Sequence, residues 1–432
     1  MTLERLQRAW QRSDALFAEL ADAAWLEQPI RLRQPFVFYL GHLPAFAWNH
    51  LGRGLLGRAA FREDLDVLFE RGIDPTGVDA YTPQATWPAL EAVREYKERV
   101  RAELTASLSD PGFPRDGEPV VAMVVEHELM HHETLQYMLQ ELDHALKRAP
   151  ARERLRSHAG ASGLASARRA IEIPEGDVIL GARSGSLPFG WDNEFEAHRV
   201  RVPRFAIEEL PVTNADFREF VEAGGYADPA LWREEDWAWR MRGCVCRPHS
   251  WRTRDGGDGL SVRGLFEDVP FEEAARWPVQ VSWAEAAAYA RWRGARLPSE
   301  AEWHRAARGT PEGNDRRWPW GDEPPGARHG SFDVRDRAPL PVGSHPEGAS
   351  AWGVQELVGN GWEWTATTFA PFPGFAPLER YPGYSADFFD GAHFVLLGAS
   401  WATDSALVRP SFRNWFQPHY PHVFSKFRLC RG

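Results

Sequence analysis

The stretch "EHELMHHETLQYM", Glu126 to Met138, carries two imidazoles four residues apart, at His127 and His131. On a helix this spacing stacks both rings on one face, so they can converge on one metal ion. Two chemistries compete for the pair. Read as H-E-x-x-H, the stretch makes Glu128 the general base of a metal-assisted peptide hydrolysis. Read as H-x-x-x-H-x-E, it ends at Glu133 and supports metal chemistry of another kind. A hydrogen-bonded pair of core histidines is the bland third reading, since a buried imidazole needs partners with or without a metal.

The hydrolytic reading lacks a convincing third ligand. Glu141 and His144 follow on the same helix, and no glycine or proline between Met130 and Arg148 turns the chain back. His42 is the better candidate, because it interrupts "FYLGHLPAF" among Phe38, Leu40, Leu43 and Phe46, which read as core. Three neutral histidines from two helices leave two or three positions open on iron(II), enough for dioxygen and a substrate heteroatom. Glu133 would then orient the ligands or balance charge. His132, about 100° around the helix from His131, is expected toward solvent or just outside the ligands.

Such ligands need helices to hold them. "LERLQRAWQRSDALFAEL" spaces Leu3, Leu6, Trp10, Leu16 and Leu20 near a helical period. "FVFYLGHLPAFAWNHLGRGLL" predicts a buried helix interrupted or adapted at Gly41 and Pro44. "WPALEAVREYKERVRAELTASL" starts near Pro88 and lines up Leu90, Val93, Tyr96, Val100 and Leu104, and "VVAMVVEHELMHHETLQYMLQELDHAL" is the most buried of the four. Residues 1–155 therefore read as a four-helix bundle. "RSHAGASGLASARRAIEIPEG" reads as a linker, and residues 170–432 as a mixed, loop-rich domain. Its short strands include "VILGA", "HRVRVPRFAIEELPV" and "FVLLGAS". Two short helices begin at Thr213 and Ser282; Ser282 has Glu285 three residues on, as a capping box requires, whereas Thr213 has no Glu or Gln there. The fold class is α+β.

A chain of 432 residues suits two domains, with a formal charge of -11 and basic residues that are nearly all arginine, lysine occurring only at 97, 147 and 426. The arginines are interleaved with acids, which argues against a nucleic-acid partner. There is no apolar run of about 18 residues and the amino-terminal stretch is charged, so a cytoplasmic protein without a membrane partner is expected. Three cysteines are too few for a disulfide framework, and Cys244 and Cys246 read as ordinary loop thiols. Oligomeric state leaves no mark in the sequence.

"RQPFVFYLGHLPAF" and "EHELMHHET" resemble the DinB-like helical domain of the ergothioneine and ovothiol family of nonheme iron sulfoxide synthases, most nearly its ovothiol branch. "LPFGWDNEFEAHRVRVPRFAIEELPVTNADFREFVEAGGY", "PVQVSWAEAAAYARWRGARLPSEAEWHRAARG", "ELVGNGWEWTATTFAPFPGF" and "FRNWFQPHYPHVFSKFR" resemble the formylglycine-generating-enzyme-like, C-type-lectin-like fold. Together these segments span nearly the whole chain. The resemblance implies oxygen-dependent attachment of a thiol sulfur to the imidazole of hercynine or histidine, with iron(II) at His42, His127 and His131 and dioxygen as co-substrate. It implies that Tyr381 and Tyr384 donate a proton and touch the imidazole, and that Asn414 and Trp415 grip the carboxylate and the quaternary ammonium.

Departures from the ergothioneine branch bear on substrate. Met130 stands where that branch usually has a ring-binding glutamine. Phe416 stands where some members have an aspartate for the γ-glutamyl amine, which favours cysteine or another small sulfur donor. "LFERGIDPTGVDAYTP" lacks the paired tyrosines and arginines of many ergothioneine enzymes, and there is no room before Gly432 for the methyltransferase domain of many ovothiol enzymes. A selenosugar donor is a further alternative. "GASWATDSALVRP" has no cysteine, against formylglycine generation. The non-enzymatic alternative is a two-domain binding protein.

Overall fold

The computed structural model describes residues 2–70, 87–114, 117–149, 169–254 and 259–432. The expected linker lies largely outside these residues, as does most of "LFERGIDPTGVDAYTP". The chain divides into two compact units, Met1–Glu153 and Arg154–Gly432.

The first unit is helical: α1 Thr2–Phe17, α2 Phe36–Ala47, α3 Glu63–Leu68, α4 Leu90–Leu108 and α5 Glu118–Glu141. Helix α1 stops at Phe17, before Leu20, and buries Leu6, Ala9, Trp10, Ser13 and Phe17. Ser13 is thus a polar residue on the inward face. Every residue of α2 is buried, and the helix passes through both Gly41 and Pro44. It then widens into a π-helical segment, Trp48–Leu55. Pro44 has no N–H to donate, so the adaptation expected near it is absorbed within a continuous helix.

Helix α5 ends at Glu141, several residues earlier than the apolar pattern suggests. Asp143 accepts a hydrogen bond from Ala145 N–H and starts a separate short turn, His144–Leu146. The aspartate offers the backbone a local alternative to helix.

In the second unit β1 Ala170–Ile173, β4 Phe205–Glu208 and β12 Cys430–Arg431 form one sheet, and β2 Gly176–Leu180 pairs with β3 His198–Val202. Strands β5 Trp251–Thr253, β6 Leu260–Arg263 and β7 Asp268–Pro270 make a third sheet. The fourth has the order β10-β9-β8-β11, with β8 Gly361–Thr368, β9 Phe394–Ala399, β10 Asn414–Phe416 and β11 Ser425–Lys426.

The expected helices are present as α6 Asn214–Glu222 and α9 Trp283–Trp292, accompanied by α7 Glu234–Arg242, α8 Phe271–Ala274 and α10 Glu300–Arg308. Asp216 completes a capping box with Thr213 despite its shorter side chain, and Ser299 with Glu302 builds another on α10. A wholly buried ion pair, Arg428 to Glu363 at 2.6 Å, ties the carboxy-terminal segment to β8. Arg428 also donates to the carbonyls of Glu208 and Gln355, so little of its hydrogen-bonding capacity goes unmet.

Candidate metal centre

His42 from α2 and the pair from α5 meet inside the helical unit. Nε2 of His42 lies 3.2 Å from Nε2 of His127 and 3.3 Å from Nε2 of His131. His42 Nδ1 is 2.7 Å from the carbonyl oxygen of Phe69. A carbonyl only accepts, so Nδ1 carries the proton and Nε2 presents its lone pair to the other two rings.

Gly41 makes this contact possible: a Cβ there would lie 2.5 Å from the Phe69 ring, so only glycine lets the end of α3 approach α2 so closely. Asp66 anchors α3 in turn, accepting from Tyr96 of α4 at 2.6 Å, while its backbone carbonyl accepts from Asn49 at 3.1 Å.

Burial pushes His42 down to about 4, against the opposing effect of the Phe69 bond. Burial and then mutual repulsion hold His127 and His131 well below the ordinary imidazole value. Three rings held neutral therefore bring their Nε2 atoms together, and where all three present lone pairs a cation between them relieves the repulsion, at separations that metal–nitrogen bonds of roughly 2.0–2.1 Å can span. The donor set fits a metal ion, and these three residues form such a group.

Around the nitrogens the walls are apolar. Phe46 lies flat on His127 with ring centroids 3.5 Å apart, and Phe38 stacks on His42 at 5.2 Å. Met130 and His131 are the partly exposed neighbours on α5, whereas Glu133 is buried.

Glu128 is occupied elsewhere. Ser13 Oγ donates to its Oε1 at 2.5 Å and lies 2.8 Å from His132 Nε2. Burial pushes the Glu128 carboxyl up to about 7. His132 is thus buried and bonded to α1, not turned to solvent. The energetic reason is that an imidazole amid apolar helices requires a partner, and Ser13 is one.

The second unit gathers the other expected residues. Tyr384 stacks on Trp191 at 3.9 Å, meets Trp415 edge-on at 5.5 Å and lies 5.9 Å from Tyr381. Trp415 lies flat on Phe369 at 4.2 Å. Asn414 Oδ1 accepts from Trp415 N–H at 2.9 Å, which turns the amide nitrogen into the donor it can offer a ligand. Phe416 points into a different contact, stacked on Tyr420 at 4.9 Å.

Sequence reasoning missed Asp192, which fastens the tyrosine segment at both ends by accepting from Ser385 Oγ and Leu378 N–H. The available signal was the polar run Asp192-Asn193-Glu194 between aromatics, all three residues being buried. Cys244, Cys246 and Cys430 are unpaired thiols.

A helical unit with a three-histidine candidate metal centre, followed in the same chain by a mixed unit, defines a two-domain class of protein. Residues 5–135 match the DinB superfamily and residues 157–432 the sulfatase-modifying factor enzyme 1-like domain. Hercynine oxygenase of Mycobacterium tuberculosis is 40% identical over 340 residues, covering 78% of this chain and 77% of the relative. That of Mycolicibacterium thermoresistibile is 36% identical over 419 residues, covering 95% and 90%. The formylglycine-generating enzyme of Mycobacterium tuberculosis is 38% identical over 232 residues, covering 46% of this chain and 74% of that protein. The chain belongs to the hercynine oxygenase family.

Proposed function

We propose that the chain is an iron(II)- and dioxygen-dependent sulfoxide synthase. It joins the imidazole of hercynine to the sulfur of cysteine or a related thiol in ergothioneine-type biosynthesis. The observation that carries this reading is the convergence of three neutral imidazole nitrogens from His42, His127 and His131, in a chain similar along most of its length to hercynine oxygenases. Iron(II) bound by these nitrogens supplies the redox chemistry, in which dioxygen takes up four electrons as a carbon–sulfur bond forms, the sulfur gains one oxygen and the other oxygen leaves as water.

The protein's own groups bind, orient and protonate. Tyr381, its phenol pushed up to about 12 by burial, stays neutral near pH 7 and holds a proton to deliver. Tyr384, braced by Trp191, contacts the imidazole. Trp415 offers an aromatic face to the trimethylammonium group, and Asn414 donates its amide to the carboxylate. Glu133, buried two positions after His131 on the same helix, balances charge. Phe416 gives no carboxylate to an incoming amine, which supports cysteine over γ-glutamylcysteine as donor. Three unpaired thiols suit a reducing cytoplasm.

Met130 favours a second reading, in which histidine is the acceptor and the product is 5-histidylcysteine sulfoxide, as in the ovothiol branch. This methionine precedes His131 on α5, at the position where the ergothioneine branch usually has a ring-binding glutamine. The two readings separate in one assay. Protein reconstituted anaerobically with iron(II) is given oxygen, hercynine or histidine, and cysteine, γ-glutamylcysteine or a selenium donor, and products are identified by mass. The hercynine–cysteine sulfoxide is expected to dominate. Sulfoxide from histidine alone would install the second reading, and no product from any pair would leave only a binding protein.

A further inference from the structure

In the second unit a cleft of about 640 Å³ opens between the β2–β3 hairpin, α10 and the turn around Thr310–Asp315. None of its lining residues belongs to the metal centre or to the tyrosine cluster. Arg305 of α10 lines it and is 5% exposed. Its Nε is buried with no hydrogen-bond partner, and among the described residues its guanidinium makes no ion pair. The guanidinium carbon lies 5.4 Å from the centroid of Trp352, whose indole Nε1 is likewise buried without a partner. Gly176 and Gly309 leave the space: a Cβ at either would collide with the guanidinium nitrogens.

The cleft's other charges are largely committed. Arg199 pairs with Asp177 at 3.0 Å and Arg201 with Glu175 at 2.9 Å, all of them at the rim. Asp315 also lines the cleft but forms no ion pair with Arg305. Arginine is a strong, always-charged donor, and a bound anion would supply the acceptor that its buried Nε lacks. Five N–H donors in a planar fork, beside an indole N–H, form a donor-only surface suited to a planar or tetrahedral oxyanion.

We propose that this cleft is a binding site for a small oxyanion, a carboxylate or a phosphate group, held by Arg305 and the Trp352 indole N–H. None of the residues assigned to sulfoxide synthesis lines this cleft, so the proposal stands or falls independently of that function.

Calorimetric titration of the full chain with inorganic phosphate and, separately, with glutamate tests it. One or both are expected to bind, at least about tenfold more weakly to Arg305→Met, and more weakly to Trp352→Phe, which keeps an aromatic face but loses the N–H. Tighter binding of phosphate assigns the ligand to phosphate esters and tighter binding of glutamate to carboxylic acids; both support the site. If neither anion binds the parent, the proposal is overturned. Equal binding by a folded Arg305→Met chain overturns it as well, and if that variant does not fold, unchanged affinity in Trp352→Phe does so.

Discussion

Ser13 of α1 donates a 2.5 Å hydrogen bond to Glu128 of α5, 115 positions away in the chain. Glu128 is the residue that the H-E-x-x-H reading would make a general base, and this bond commits it to the α1 side of its helix. The metal-facing groups of α5 are His127 and His131, with the third nitrogen supplied by His42.

Replacing Glu128 by Gln keeps an acceptor for Ser13. Iron content should be unchanged and sulfoxide formation should stay within about threefold of the parent, whereas loss of a general base costs about 10²- to 10⁴-fold. Steady-state turnover by mass detection decides between them, and a hundredfold fall with full iron occupancy would restore Glu128 to the reaction.

Gly41→Ala should improve intrinsic helix propensity by about 1 kcal/mol and still impair the centre. The added methyl meets the ring of Phe69, which is fully buried and has nowhere to retreat. Displacing Phe69 moves the carbonyl that fixes His42, and changes of this kind cost about 10- to 100-fold in metal affinity. Anaerobic iron(II) titration reads the effect directly; parental affinity would show that the Phe69 bond is dispensable.

Tyr381→Phe removes the proton donor while leaving the three histidines intact. Its kcat should fall at least about a hundredfold with iron binding unchanged. Trp415→Leu, by contrast, should raise KM for hercynine several-fold, in line with a cation–π contribution of about 0.5–2 kcal/mol, and should affect histidine less because histidine has no trimethylammonium group. Equal effects on both acceptors would remove Trp415 from ammonium recognition.

Asp236 reports on acid stability. It is wholly buried and accepts from Arg233 at 2.6 and 2.8 Å and from His419 at 2.8 Å. Burial alone would raise its pKa, but these bonds outweigh it and hold the carboxyl below the usual range. A depressed folded-state pKa contributes stability above the unfolded value, about 3.9, that is lost as pH falls through the folded value. Asp236→Asn should therefore be less stable than the parent near neutrality, by about 1–3 kcal/mol, with the gap closing in acid. Urea midpoints across that range would show it, and a gap independent of pH would contradict it.

How much of this was legible depended on distance along the chain. The His127–His131 pair, one helical turn apart, and the Ser282–Glu285 cap are local patterns. His42 stood out because it was polar inside an apolar run. Helix α10 was passed over although Ser299 and Glu302 have the same spacing as Ser282 and Glu285, because its Trp303, His304 and Arg305 obscure the apolar face. The Ser13–Glu128 and Asp192–Ser385 contacts join residues far apart in sequence and had no local signature. Phe69 contributes a backbone carbonyl, which residue type does not encode; Gly41 was the only trace of it.

The most direct measurement is iron(II) stoichiometry under anaerobic conditions for the parent, His42→Ala and Glu128→Gln. A centre built from His42, His127 and His131 predicts one tightly bound iron per chain in the parent and in Glu128→Gln, and loss of that iron in His42→Ala. Full iron retention in folded His42→Ala would contradict the account, because the metal would then rest on the α5 pair without the third histidine.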